Sequence, residues 1–288
     1  MIVTDTPVAL PGGCVAALGT FDGVHPGHRR VLADAAGGGL PVAVVTFAQH
    51  PQGKPRILSP ARCDELFERL GIAAVVRLDF AAVRDMAPEA FLDGLVTTMG
   101  AKGFACGYDF RFGKGACGDA ALLTAYCEAR GLFCSVSEPV TAGGEPISSS
   151  RIREAIAAGE LPAAEALLGS TYRVEGPVVH GDERGRLLGF PTLNQVLDGN
   201  FVLPRFGVYA ARVTLGGVTY AAVTNVGMRP TFATAQPLAE SHVMGFSGDV
   251  YGQNVSVELR RFLREERKFD SAEALIEQMK RDAENAQK

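Results

Sequence analysis

His25 and His28 stand three residues apart in the run Gly19-Thr20-Phe21-Asp22-Gly23-Val24-His25-Pro26-Gly27-His28. An apolar strand-like stretch leads into this run, and a helical pattern follows it. Pro26 suits a first helical turn, because its missing N–H would be unpaired there anyway. The spacing puts both imidazoles on one face near a helix N-terminus. Unpaired backbone N–H groups and the helix dipole make such an end an anion site. The two rings add hydrogen-bond donors that can neutralise phosphate charge as a group is transferred. Gly19, Gly23 and Gly27 let a nucleotide approach the backbone closely. A solvated histidine pair is the bland alternative, and the strand-to-helix setting favours the phosphate cradle.

A second candidate is Ile147-Ser148-Ser149-Ser150-Arg151-Ile152-Arg153. Serines at a helix start can simply cap it. Three hydroxyls beside two guanidinium groups also suit a polyphosphate. A third set lies further on, in His180-Gly181-Asp182-Glu183-Arg184-Gly185-Arg186-Leu187-Leu188-Gly189-Phe190-Pro191-Thr192-Leu193-Asn194. Gly181, Gly185 and Gly189 around two arginines read as a flap able to close over phosphate. Thr192 and Asn194 present a hydroxyl and an amide oxygen on one side of an extended segment. Both are hard donors suited to magnesium. No P-loop or protein-kinase motif occurs.

The elements that must position these groups follow two periods. Up to about residue 160, short apolar runs at 15–21, 41–47, 72–78, 102–108 and 132–137 alternate with amphipathic helices. Leu66, Phe67 and Leu70 share one helical face before Gly71; Phe91, Leu92, Leu95 and Met99 share another, between Pro88 and Gly100. Near-continuous apolar strands separated by helices predict a doubly wound α/β domain with a parallel, Rossmann-like sheet. After about residue 170 the period becomes two. In 208–215, Tyr209, Ala211, Val213 and Leu215 face one way, Arg212 and Thr214 the other, and Gly216-Gly217 turns the chain. This half reads as a small antiparallel β-barrel with a C-terminal helix, capped by Asp270 and Glu273 and buried along Leu275, Ile276 and Met279. The expected domains are 1–160 and 171–288, joined by a linker at 161–170.

Gly-Thr-Phe-Asp-Gly-Val-His-x-Gly-His with Ile-Ser-Ser-Ser-Arg-Ile-Arg resembles the flavin adenylyltransferase branch of the nucleotidyltransferases. Thr46-Phe47-Ala48-Gln49-His50-Pro51 and the stretch 107–115 are similar to two further elements of that branch. The resemblance implies that the first domain joins the AMP part of ATP to FMN, giving FAD and pyrophosphate. It places Gly19, Thr20, Phe21, Asp22, Gly23, His25, Gly27, His28, Ser148, Ser149 and Arg151 around ATP, with His25, His28 and Arg151 catalytic. Phe47, His50, Pro51 and Asp109 would surround FMN. Ala48 and Gln49 depart from the branch, which usually has an acidic residue and a proline there, and altered flavin affinity is the expectation.

The second half resembles riboflavin kinase, over 184–194, 207–210, Asn225-Val226-Gly227-Met228-Arg229-Pro230-Thr231-Phe232, Glu240-Ser241-His242 and 246–252. That implies transfer of the γ-phosphate of ATP to the 5′-hydroxyl of riboflavin. By the same resemblance Glu240 is the catalytic base; taken alone it reads as a surface carboxylate. Gly181, Gly185, Arg186 and Gly189 belong to the ATP flap, and Thr192 and Asn194 contact magnesium and ATP. Leu193 replaces the family's alanine and is expected to pack into the barrel, the alternative being that it crowds the nucleotide pocket. Asp249 and Tyr251 read as turn and core residues. From residue 15 to about 280 the chain is similar to bacterial bifunctional riboflavin kinase/FAD synthetases, with Mg2+-ATP, riboflavin, FMN and FAD as substrates and products. The alternatives are a chain that keeps only one activity and a non-catalytic flavin-binding regulator.

Composition limits the classes further. The chain has 288 residues, 47% hydrophobic, and a formal charge of 28 − 32 = −4. That balance argues against a nucleic-acid partner, which calls for a basic stripe, and against attraction to an acidic membrane surface. No run approaches the ~18 apolar residues of a membrane span. The N-terminal stretch carries Asp5 and no basic leader, and six cysteines without a Cys-x-x-Cys pair read as reduced thiols of a cytoplasmic protein. Weak self-association is compatible with the sequence. Glycine is unusually frequent, 34 of 288 against an average near ~7%, as expected of backbone-lined ligand loops.

Overall fold

A computed structural model describes residues 1–181, 189–230 and 235–287. The chain divides into two compact units, Met1–Ser149 and Ser150–Lys288.

The first unit is built on a six-stranded sheet in the order β1-β4-β3-β2-β5-β6. Its strands are β1 (Ile2–Thr4), β2 (Cys14–Leu18), β3 (Val42–Phe47), β4 (Ala74–Leu78), β5 (Ala101–Gly107) and β6 (Phe133–Ser137). Every neighbouring pair is parallel. The helices are α1 (Pro26–Ala36), α2 (Pro60–Arg69), the short α3 (Phe80–Val83), α4 (Pro88–Met99) and α5 (Ala120–Arg130). β2 is buried at every position, as a strand covered on both faces must be. α4 matches its sequence reading: Leu92 and Met99 are fully buried, Pro88 opens it, and Gly100 closes it in the left-handed region at φ 66°. Two elements were not anticipated. β1 lies at the sheet edge, with Ile2 and Val3 about half exposed, and a hairpin, β7 (Thr141–Ala142) with β8 (Glu145–Pro146), precedes the serine–arginine motif. Order matters for function here. β2 connects through α1 to β3 on one side and has β5 on the other, so the end of β2 is the switch point where such sheets bind ligands.

The second unit opens with α6 (Ser149–Ala158) and α7 (Leu161–Leu168). The stretch read as a junction is therefore itself helical, with Pro162 in its first turn and Gly169 ending it at φ 69°. Six antiparallel strands then close a barrel in the order β10-β13-β12-β11-β14-β9. They are β9 (Arg173–Val179), β10 (Thr192–Val196), β11 (Gly207–Leu215), β12 (Val218–Pro230), β13 (Ala235–Val243) and β14 (Asn254–Arg264). Gly216 and Gly217 turn β11 into β12 at φ 57° and 81°, the conformation a two-residue hairpin needs. The last helix, α8 (Ala272–Ala286), differs from expectation in two ways. Its N-cap is Ser271, whose hydroxyl accepts from the Ala274 N–H, and not Asp270. Leu275, Ile276 and Met279 are only half-buried; the buried residue is Asp282, 3% exposed, held by Arg264 at 2.8 Å. The helix is fastened by an ion pair more than by an apolar stripe. Among the described residues no helix is long and apolar enough to cross a membrane.

The buried thiols carry a pH dependence. Desolvation pushes Cys14 up to about 11 and Cys63 and Cys106 up to about 12, from 9.0. Unfolded thiols ionise first, so the stability these groups contribute is complete below pH 9.0 and is lost as pH rises toward 11–12. Each ionising thiol then costs up to about 1.4 kcal/mol per pH unit. The hydrogen bond between Cys127 and Cys134 holds Cys134 down and pushes Cys127 up. Thermal melts of the full chain should fall more steeply above pH 9 than below it. A Cys63→Ala, Cys106→Ala double variant should flatten that alkaline slope, and an unchanged slope would contradict the assignment.

Candidate functional site

In the first unit the loop between β2 and α1 is unusually tight. Phe21 and Val24 sit at φ 47° and 45° and Gly23 at φ 95°. A left-handed β-branched residue is strained, and such strain gathers at ligand sites. The loop is held from three directions. The buried Asp22 carboxylate accepts from the Ile57 N–H at 3.0 Å. Thr46 donates its hydroxyl to the Thr20 carbonyl at 2.8 Å, and Ser149 donates to the Asp22 carbonyl at 2.9 Å. This last bond ties Ser149 to the backbone of the histidine loop.

His25 is the N-cap of α1, and its Nδ1 accepts from the His28 N–H at 3.4 Å. An accepting Nδ1 places the ring proton of neutral His25 on Nε2. The two imidazoles stack with centroids 3.6 Å apart, and Phe21 packs against His28 at 5.3 Å. Gly27 has no room for a side chain without displacing a ring: a Cβ there would lie 3.1 Å from His25 Cε1. Both donors therefore sit, pre-oriented, at a helix N-terminus.

β3 and β5 flank β2, so the segments that follow them leave the sheet on either side of the histidine loop. Phe47, His50 and Pro51 are half-buried after β3, while Ala48 and Gln49 are exposed. His50 Nδ1 accepts from the Gln52 N–H at 3.1 Å, and Arg56 binds the Phe47 carbonyl at 3.0 Å. Asp109 is exposed after β5. Gly113 lies close against Pro88, where a Cβ would meet a ring carbon at 2.6 Å, so this glycine serves loop packing. Ser148 immediately precedes α6, and Arg151 stands in its first turn.

The barrel assembles a second set. Register pairs Asn194 with Glu240 and Glu240 with Asn225, across β10, β13 and β12. Paired residues share a face, so these three side chains form one row, with Thr192 and His242 paired beside it. Leu193, Ser241 and Thr224 form the adjacent row on the opposite face; Leu193 is 6% exposed and the two hydroxyls bond each other at 2.8 Å. Leu193 thus packs into the barrel, away from Thr192 and Asn194. His242 Nδ1 lies 2.9 Å from the Pro191 carbonyl and its ring packs on Phe190.

Asn194 is 5% exposed and points its amide N–H at the Thr192 carbonyl, 3.4 Å away. That bond uses the amide nitrogen and leaves the amide oxygen out of it. Gly181 is required beside it: a Cβ there would lie 2.6 Å from Asn194 Nδ2 and 2.9 Å from Oδ1. Gly181→Ala is expected to displace this amide and lower kcat/KM for ATP in phosphoryl transfer by about 10-fold or more, the scale of a misplaced ligand. Steady-state kinetics at varied ATP would measure it, and wild-type values would contradict it.

Gly189 is exposed at φ 83°. Gly185 and Arg186 lie outside the described residues. Asp249 is a turn residue, accepting from the Tyr251 N–H at 2.9 Å. Tyr251 is not in the core: it is 39% exposed and stacks on His180 at 3.8 Å. Sequence reasoning missed Glu266, which accepts from Asn225 Nδ2 at 2.8 Å.

Comparison with known proteins follows the same division. The FAD synthetase family model matches residues 8–151, and the riboflavin kinase model residues 168–288. The bifunctional riboflavin kinase/FMN adenylyltransferase of Listeria monocytogenes is 34% identical, over 93% of this chain and 90% of that one. Its counterpart from Escherichia coli is 39% identical, over 94% of this chain and 90% of its own. A crystal structure described as a macrolide-efflux protein from Streptococcus pneumoniae has a TM-score of 0.91 at 31% identity, covering 100% of this chain and 99% of that one. Its name is that protein's own; what the two chains share is the fold. With both family models matched in order and relatives 34% and 39% identical over most of the chain, the chain belongs to the bifunctional riboflavin kinase/FMN adenylyltransferase family.

Proposed function

We propose that this chain makes FAD from riboflavin in two ATP-dependent steps at two separate sites. The observation that carries this reading is that the His25–His28 pair and the Asn194–Glu240 row belong to different compact units. The functional domains are taken as 1–160 and 171–288.

In the barrel, Glu240 accepts the proton of the riboflavin 5′-hydroxyl as that oxygen bonds to the γ-phosphorus, and ADP leaves. A primary alcohol holds its proton tightly, which is why a positioned carboxylate is needed. The Thr192 hydroxyl and the Asn194 amide oxygen are the hard donors that would hold a magnesium ion bound with ATP, which would neutralise charge on the transferring phosphate. Gly181, Gly185, Arg186 and Gly189 bind the nucleotide.

In the α/β domain, 1–160, an FMN phosphate oxygen attacks the α-phosphorus of a second ATP, and pyrophosphate leaves. The nucleophile is already an anion, so no base is required, and the work is alignment and charge neutralisation. Gly19, Thr20, Phe21, Asp22, Gly23 and Gly27 line the nucleotide through the loop backbone. His25, His28, Ser148, Ser149 and Arg151 bind its phosphates, with both histidines and Arg151 stabilising the charge that develops. Phe47, His50, Pro51 and Asp109 hold FMN. Cytoplasm is the compartment that supplies ATP and suits six free cysteines. Product stoichiometry tests the reading: one ADP and one pyrophosphate should be released per FAD formed from riboflavin. Pyrophosphate absent during flavin turnover, or ADP absent, would remove one site.

A further inference from the structure

We infer that Asn225 contacts the sugar-alcohol chain of the flavin in the kinase step and that Glu266 is the positioning residue that aims it. This rests on the reading of Glu240 as the base. Register sets Asn225 directly beside Glu240, which in turn lies beside Asn194. Cross-strand neighbours of this kind are about 5 Å apart, the reach from a reacting terminal hydroxyl to another hydroxyl a few carbons along a polyol.

The orientation of the Asn225 amide follows from chemistry. Its Nδ2 lies 2.8 Å from Glu266 Oε1. A carboxylate only accepts, so the amide nitrogen must face it, and the oxygen must face the other way. That oxygen, Oδ1, is buried and has no hydrogen-bond partner among the described residues. A buried acceptor left unpaired is costly, and it calls for a donor supplied from outside the chain. The flavin ring offers an N–H donor only at the end remote from the reacting hydroxyl. The polyol offers several O–H donors beside it.

Glu266 is placed deliberately by the backbone. β14 passes the start of β11, with Arg264 registered on Val208, and Glu266 follows two residues later. Gly227, two residues beyond Asn225 on the same strand face, leaves the space: a Cβ there would lie 2.3 Å from Glu266 Oε1 and 2.8 Å from its Cδ. Any side chain at 227 would push the carboxylate off Asn225.

The test uses full-length protein and follows total FMN plus FAD formed. Riboflavin is the substrate, and lumiflavin, the same ring without the polyol, is the inhibitor. Asn225→Ala and Glu266→Ala should raise KM for riboflavin about 10-fold, the scale of one lost hydrogen bond, and leave the lumiflavin Ki unchanged. Glu266→Gln keeps an acceptor oxygen for the Asn225 N–H and should restore KM to near wild type. Glu266 is exposed, so its loss does not threaten folding. Unchanged KM in both alanine variants would overturn the inference, and so would KM and Ki rising together, which marks a disturbed ring pocket. Wild-type protein that makes no FMN would instead defeat the parent reading, and this one with it.

Discussion

Glu240→Ala should reduce FMN formation by about 10²–10⁴-fold, the range a general base supplies, while FAD synthesis from supplied FMN stays within twofold of wild type. The separation follows from where Glu240 sits. It is half-buried on β13 in the row with Asn194 and Asn225, and its strand neighbours Ala239 and Ser241 are the ones fully buried. Removing the carboxylate therefore leaves the barrel interior packed. A Glu240→Gln variant sharpens the test, because it keeps the shape and a hydrogen-bonding end but cannot take the proton. It should be as impaired in kcat as the alanine variant, with KM for riboflavin little changed. Flavins separated chromatographically from reactions started with riboflavin or with FMN give both numbers. If the two activities fell together, the assignment of Glu240 to one step would be wrong.

The mirror experiment is at His25 and His28. In the proposed adenylyl transfer each imidazole supplies a donor to phosphate, and removal of one such preorganised donor typically costs about 10²–10³ in rate. His28→Ala should therefore cut FAD formation from FMN on that scale and leave riboflavin phosphorylation intact. His25 needs more care, because its Nδ1 also caps α1. His25→Ala removes both roles and should cost about 0.5–2 kcal/mol of stability besides activity. Asparagine is a good N-cap without an imidazole. His25→Asn should therefore melt like wild type and still lose FAD synthesis by about 10²-fold. Activity preserved in His25→Asn would reduce His25 to a capping residue. A melt of His25→Ala beside it would show how much of any loss is structural.

Chemistry and period were the legible layers. The parallel strands announce themselves as apolar runs because both faces are covered, and the two-residue period of β11 carries straight into the barrel. The histidine pair is legible because three residues of helix suffice to bring the rings together. What escaped depends on contacts between distant positions. β1 is three residues with two of them exposed, too short and too wet for a pattern. Asp282 breaks the apolar stripe of α8 because Arg264, 18 residues earlier, supplies its charge partner. Tyr251 reads as core by type, yet its partner is the His180 ring. Glu266 reaches Asn225 from 41 positions away. Helix α7 had its signals in plain view, Pro162 and Gly169, and the alanine-rich composition between them masked a helix as a junction. The glycine excess divides likewise: Gly27 and Gly181 make room beside the His25 and Asn194 side chains, whereas Gly113 packs a loop and Gly216 and Gly217 turn a hairpin.

The most direct measurement is a time course with wild-type protein, riboflavin, ATP and magnesium, with the flavins separated at each point. FMN should rise first and FAD should follow at its expense, ending with nearly all flavin as FAD. FMN accumulating with no FAD, or neither product forming, would contradict two working sites on this chain.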